Sequence, residues 1–442
     1  MENTTGTKGK LNKLLSTGKE YIKSLTKKGA VHILAGNFAT KFVSFFGSVF
    51  LSRLITKTDM GILSYIENLY GYGFVFVGVG MANSLLRFVV LSEEPEKKYA
   101  YVQYARKRGL IADLIICAVM ITANVFYPHK SSFEVARGLL PIMMLALPFQ
   151  DLLNQAQLNE RAMFANKRFA FFSVGSAAAV VIARVIGAKT GALTGVVIAV
   201  LAVNIVLGLG LQFISQRKYF RGLRAETLTH DEKHEAAVYS IQYMITNGLW
   251  TFFMLMNIYL LGRLIDDPTV VADYKIAYSF PVNISIFSSA IGIFIAPYFV
   301  KNERDKDWVR KNYFRTMGAG FAIIGPVCIV MALLARFLIS LYGAQYLNVV
   351  PLMRVLIIGS FADAALRYPV TNILAAMGQV RYNMIVAACG FVLQTILNII
   401  LIPKLGAYAI AINTIVIHTL MAAALFIVFN KKYEIIRIGS GK

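Results

Sequence analysis

Runs of about twenty apolar residues recur along this chain from residue 31 to residue 430, and each is long enough to cross the hydrocarbon core of a bilayer as a helix. A soluble chain of 442 residues carries more charge than the 15% found here, and 57% of this sequence is hydrophobic. Mean hydropathy is +0.61. The fold class expected is all-α: a polytopic membrane protein with about 12 transmembrane helices. They fall at roughly 31–53, 62–88, 109–128, 138–158, 168–188, 191–213, 240–262, 275–299, 316–340, 350–376, 382–402 and 405–430.

The net charge of +22 need not mean nucleic acid. The basic residues sit mainly in short loops between apolar runs, where they encode topology. With the N-terminus inside, cytoplasmic segments hold about 31 Lys/Arg and outer loops about 10, so both termini are expected to be cytoplasmic. The start of the chain does not read as a cleavable signal peptide, because basic, mostly polar residues precede the first apolar run and no small-residue cleavage site follows. Cys117, Cys328 and Cys389 all lie in apolar runs with neither metal-type nor disulfide-type spacing, which suits packing.

The expected domains are a basic segment 1–30, an N-lobe 31–213 of six spans, an inter-lobe loop 214–239, a C-lobe 240–430 of six spans, and a tail 431–442. Segment 1–30 places Leu11, Leu14, Leu15, Ile22 and Leu25 near one helical face, a pattern for a helix lying on an anionic leaflet or for a basic tail that fixes topology. A faint repeat supports two parallel halves about an axis along the membrane normal. "GAKTGALTG" (187–195) matches "IPKLGAYAI" (402–410), with Lys189 on Lys404, Gly191 on Gly406 and Ala192 on Ala407.

In span one, Asn37, Lys41, Ser44 and Ser48 share one face while phenylalanines cover much of the rest. Lys41 lies about 16 Å of helix rise from either end, farther than its stem reaches. An ammonium there costs about 2.5–3.5 kcal/mol unless it meets water or a partner. An internal ion pair or helix contact would satisfy it; the hydroxyl and amide stripe favours a cavity. Arg87 lies where it can snorkel to the cytoplasmic interface, and Arg184 can reach the outer one. Arg367 follows Asp363 by four residues, a spacing that permits a pair on one face. Glu67, Asp151 and Asp363 are the acids singled out within spans, able to take a proton or sodium ion or to neutralise those arginines.

The second half carries a milder stripe, with Tyr243, Asn247, Trp250 and Asn257 on one face of span seven, equally suited to ordinary interhelical bonding. Pro148, Pro281, Pro326 and Pro369 should kink their spans. No phosphate-cradling GxxxxGK[ST] loop is present, so ATP hydrolysis is not expected, nor any other catalytic residue set or cofactor. His230 and His234 lie in a polar loop without the HExxH order or a third ligand, so no metal site is expected.

Three patches carry a family resemblance: "FLSRLITKTDMGILSYIENLYGYGFVFVGVGMANSLLRFV", "LISLYGAQYLNVVPLMRVLIIGS" and "ILAAMGQVRYNMIV…LNIILIPKLGAYAIAINTIV". In order and spacing the chain resembles Wzx-type lipid-linked oligosaccharide flippases of the multidrug/oligosaccharidyl-lipid/polysaccharide (MOP) exporter superfamily. That resemblance implies a MATE-like V of two six-helix lobes with pseudo-two-fold symmetry, alternating between inward- and outward-open states. It implies a non-enzymatic flippase in the bacterial cytoplasmic membrane, moving a polyprenyl pyrophosphate-linked glycan. It also implies coupling to H+ or Na+ and a glycan-assembly polymerase as partner. Lys41, then Arg87, Arg184 and Arg367, with Asn37, become the substrate-binding candidates; Glu67, Asp151 and Asp363 become the ion-coupling ones. Many relatives carry an acid in span seven where this chain has Asn257, which argues against coupling there. The rival from the same superfamily is a cation-coupled multidrug antiporter, favoured by Glu67 and Asp151 and disfavoured by Lys41. A membrane glycosyltransferase or polymerase would need a larger extramembrane loop, and a scaffold would need no polar stripe.

Overall fold

The computed structural model describes residues 30–433. The interfacial helix or basic tail expected before residue 30, and the end of the C-terminal tail, lie outside the described residues. Those described form helices, with no strand among them. They are α1 Ala30–Leu54, α2 Lys57–Val75, α3 Met81–Leu91, α4 Pro95–Phe126, α5 Val135–Met144, α6 Leu147–Ala162, α7 Asn166–Tyr219 and α8 His230–Leu264. Then follow α9 Pro268–Tyr278, α10 Ser285–Lys301, α11 Lys306–Leu333, α12 Ala335–Ser340, α13 Val350–Phe361, α14 Tyr368–Ala376, α15 Val380–Leu405 and α16 Ala407–Tyr433.

Nine helical stretches among the described residues are long and apolar enough to cross a membrane, and a tenth comes from the pair 131–144 and 147–162, bent by 43°. The 54-residue α7 breaks at Gly191 and Ala192 and doubles back, so that the backbones of Gly187 and Gly195 touch. It supplies two crossings. The 25 residues of α1 are also sufficient, at about 1.5 Å of rise each. Counted this way, the described helices are enough in number and length for the twelve crossings expected. Several helices run on beyond the apolar core: α4 begins at Pro95 and α8 at His230, leaving the central connection shorter than its polar sequence suggested.

The breaks have identifiable causes. Between α2 and α3 the residues Gly78, Val79 and Gly80 all have positive φ (53°, 49° and 73°), which glycine tolerates and which ends the helix. Pro281 sits in the short 3₁₀ turn between α9 and α10. Pro369 follows a π-turn, Ala362–Arg367. Proline has no N–H to give back to that turn, and the Ala364 carbonyl instead accepts the Ser288 hydroxyl. Pro326 is accommodated inside α11.

By internal contacts the chain divides into two compact units. One holds the described residues up to Leu54, Tyr70–Tyr127 and Gly138–Trp250. Here α1 lies along the first limb of α7 through small residues, with Gly36 against Ala170 and Gly47 against Val181, the close approach that membrane helices use in place of a hydrophobic driving force. Gly80 meets the Ser240 backbone, and a cluster including Leu85, Phe88, Val89, Val102 and Phe220 closes that end. The other unit holds Ile55–Leu69, Pro128–Arg137 and the described residues from Thr251 onward. Gly61 lies directly on the Pro268 carbonyl, the Tyr65 ring fills the space over Gly262 and Phe133, and Asn68 donates to the Leu255 carbonyl at 2.9 Å.

The repeat is visible in backbone geometry, with one adjustment. Ala192 has φ 45° and ψ −130°, and Gly406, which turns α15 into α16, has φ 57° and ψ −136°. The equivalent turn residues are Ala192 and Gly406, one position off the sequence match of Gly191 with Gly406.

Candidate substrate and ion sites

On α1 the side toward α7 is set by Gly36 and Gly47. At about 100° per residue, Asn37, Lys41, Ser44 and Ser48 lie roughly a quarter turn from that side. Phe38, Phe42, Phe46 and Phe50 lie on the opposite flank. Both flanks are uncovered within this unit: the phenylalanines are 72%, 56%, 38% and 54% exposed, and Asn37, Lys41 and Ser44 are exposed too. The two flanks suit different solvents, lipid for the rings and water or a polar ligand for the stripe. No described residue pairs with Lys41.

The other cations have different surroundings. Arg87 is exposed on α3 and stacks its guanidinium over Tyr239 at 5.4 Å and Phe88 at 5.8 Å. Arg184 is half-buried on the first limb of α7. Arg367 is buried and held by Asp363, Nε to Oδ1 2.5 Å, with His418 Nδ1 3.8 Å from the same oxygen. Glu67 accepts from Lys275 Nζ at 2.6 Å, a pairing across 208 residues of sequence. Two more carboxylates are likewise neutralised: Asp273 by Lys57 at 2.7 Å, and the fully buried Glu160 by Arg168 at 2.8 Å, with the Tyr219 hydroxyl also donating to Glu160.

Asp151 is different. It is fully buried on α6 and faces Asp113 of α4, also fully buried and within hydrogen-bond reach. The broken connection between α2 and α3 runs beside both. The Gly78 amide donates to Asp113 Oδ1 at 2.7 Å, and a Cβ on Gly78 would stand 2.8 Å from Asp151 Oδ2. Gln155 Nε2 donates to Asp151 Oδ2 at 2.6 Å. Gly109, one turn before Asp113, leaves room for the pair, since a Cβ there would lie 2.7 Å from Asp151 Oδ2. The sequence reading missed Asp113, although "IADLIICAVMI" shows an acid inside an apolar run as plainly as Asp151 does.

Asn257 lies at the centre of a neutral amide network. Its Oδ1 accepts from Asn398 Nδ2 at 3.0 Å and Gln394 Nε2 at 3.2 Å, its Nδ2 donates to the Tyr274 hydroxyl at 3.2 Å, and Asn413 donates to Asn398 at 2.8 Å. The network contains no carboxylate.

The sequence profile of the polysaccharide biosynthesis protein family matches residues 50–351. The chain belongs to that family. No curated protein sequence matches it. Among solved structures, this family member is similar to the lipid II flippase MurJ in an inward closed conformation, with TM-score 0.69 at 14% identity over 91% of this chain and 89% of that one. It is similar also to an inward-facing multidrug resistance MATE transporter of the MOP superfamily, with TM-score 0.67 at 12% identity over 91% and 96%. The eukaryotic MATE transporter AtDTX14 gives 0.59 at 14% over 92% and 97%. At such identities the likeness is one of fold. The polysaccharide context expected from the hairpin motifs is the one found, and this family member is a multi-pass helical membrane protein.

Proposed function

We propose that this chain is a flippase of the bacterial cytoplasmic membrane. It moves a polyprenyl pyrophosphate-linked oligosaccharide from the inner to the outer leaflet by alternating access between an N-lobe (31–213) and a C-lobe (240–430), with both termini cytoplasmic. Family membership supplies the polysaccharide context, and the shared fold with MurJ and MATE transporters supplies the transport architecture. The observation that carries the reading is Lys41. It is an ammonium in the middle of a spanning helix, on a polar flank turned away from the phenylalanine flank, without a carboxylate partner among the described residues. A pyrophosphate in a low-dielectric passage would supply the missing charge. Asn37 adds a neutral donor on the same flank. Arg87, stacked on aromatic rings, is the next candidate, then Arg184. Arg367 is a weaker one, because Asp363 already neutralises it. Coupling to an ion gradient belongs to the same proposal; of Glu67, Asp151 and Asp363, only Asp151 is without a described cation.

The experiment is complementation of a deletion strain. Loss of the protein should leave lipid-linked oligosaccharide on the cytoplasmic leaflet. Lys41→Ala should fail to restore export at normal membrane level, whereas Lys41→Arg should restore part of it. Full export with Lys41→Ala removes the pyrophosphate role from that residue. The antiporter reading would instead show as ethidium efflux in cells stripped of their own pumps, abolished by Asp151→Asn.

A further inference from the structure

We propose that Asp113 and Asp151 hold one proton between them, and that this buried pair beside the α2–α3 break is the proton-coupling site of the transporter. The inference rests on the transport reading above and narrows it to an ion and a residue pair. Four other carboxylates within the described spans (Glu67, Glu160, Asp273 and Asp363) each have a Lys or Arg within 2.8 Å. Asp113 and Asp151, both at 0% exposure, have none. Two unscreened negative charges at hydrogen-bond distance in such a place are not tolerated together; one proton between them removes the conflict.

The donors around the pair show where that proton belongs. Gly78 N–H satisfies Asp113 Oδ1 and the Gln155 amide satisfies Asp151 Oδ2. Asp113 Oδ2 and Asp151 Oδ1 are left with no donor, as is the Gln155 carbonyl oxygen, in a residue only 1% exposed. One proton shared between the two carboxyls supplies a donor where the protein supplies none. The titratable neighbours are Tyr70 of α2, whose hydroxyl donates to Gln150 at 2.6 Å, and Cys117 of α4, whose thiol donates to the Met144 carbonyl at 3.0 Å; α3 and α6 add none beyond Asp151 itself, and α7, which meets α6 at Gly208 and Phe149, adds none.

The site is also mechanically placed. Asp113 is bonded to the amide of Gly78, the first left-handed residue of the break in the second span. Losing the proton puts a second charge beside that amide and favours rearrangement or hydration of the break. Binding and release are thereby tied to a segment already out of helical register.

The test uses the full chain in nanodiscs and reads the proton without reading transport. Infrared spectroscopy of the wild type should show a protonated-carboxyl stretch at neutral pH, lost on alkalinisation and unmoved by sodium at constant pH. Asp113→Asn and Asp151→Asn should each remove or shift that band while helix content and elution volume stay unchanged. Absence of the band at neutral pH, its persistence in both variants, or its displacement by sodium overturns the proton assignment. In proteoliposomes, flipping of a fluorescent undecaprenyl pyrophosphate-linked sugar should respond to an imposed pH gradient in the wild type and lose most of that response in Asp113→Asn. Wild-type flipping that ignores the gradient, with the band present, overturns the coupling role. No flipping by the wild type under any condition, with the band present, sinks the transport reading and the coupling role with it, and leaves the proton itself in place.

Discussion

A charged side chain in a membrane span has to be satisfied, and the residues of this chain answer that demand in two ways. Arg367 and Asp363 satisfy one another within one turn, with His418 nearby. Breaking such a buried pair from one side leaves a bare charge. Arg367→Met should therefore destabilise the protein by about 3–5 kcal/mol. A thermal melt in detergent checks this, and adding Asp363→Leu should recover most of the loss. Lys41 has no such partner among the described residues, and its removal should cost function rather than stability. A charge-assisted phosphate contact contributes about 1.5–3 kcal/mol, so Lys41→Ala should weaken binding of an undecaprenyl pyrophosphate probe roughly ten- to hundredfold with an unchanged melt. The sequence made Lys41, Asp363 and Arg367 legible, since each stands out in an apolar run. It did not reveal that Glu67 is answered by Lys275, because that pair spans 208 residues.

At the scale of elements, the turns carry the most specific information. Ala192 occupies a backbone region that suits glycine and strains a residue with a Cβ. Ala192→Gly should stabilise the hairpin of α7 by about 1 kcal/mol, whereas Gly406→Ala, at the equivalent turn of α15 and α16, should destabilise by a similar amount. Paired melts of the two variants check both signs. Gly61 is stricter, because any Cβ there runs into the Pro268 carbonyl; Gly61→Ala should reduce folded yield. The connection between α8 and α9 adds a pH-sensitive clasp. Asp266 accepts the Ser131 hydroxyl at 2.5 Å and the Ser132 amide at 2.9 Å, and these donors hold its carboxyl below the usual range. A depressed carboxyl stabilises the fold above its unfolded pKa of about 3.9 and loses that contribution as pH falls through the lower folded value. The clasp should thus be flat from neutral pH to about 5 and loosen only under stronger acid. Hydrogen exchange at the Ser132 amide, corrected for its intrinsic pH dependence, reads this directly, and Asp266→Asn should show raised exchange from neutral pH to about 5, the difference shrinking under stronger acid.

For the whole molecule, twelve crossings arise from one sequence rule, the length of an apolar run, modified by breaks that the rule does not see. The run 62–88 reads as one continuous helix, yet it is interrupted at Gly78–Gly80. The polar central stretch reads as a loop, yet α8 already starts at His230 within it. The compact units also cut across the chain order, since α2 and α8 each give one stretch to each unit. A deletion strain complemented in trans tests the molecule at this scale: export should return with the wild type and should fall when a protonophore collapses the proton gradient while sodium is held constant.

Sequence alone determined the class of this protein. A bilayer admits chain only as runs long enough to span it with their backbone paired internally, so the count of crossings, the all-helical fold and the residues out of place in lipid are all written locally. The hairpin motifs added the family for the same reason, being short stretches read in order. Which charges meet was decided only by tertiary structure. Asp113 and Asp151 are 38 residues apart on different helices, as their positions show, and they become a pair only because Gly109 and the left-handed turn at Gly78 leave space for two carboxyls to approach. Desolvation and like-charge repulsion depend on distance and burial, and neither quantity is carried by the order of residues along a chain.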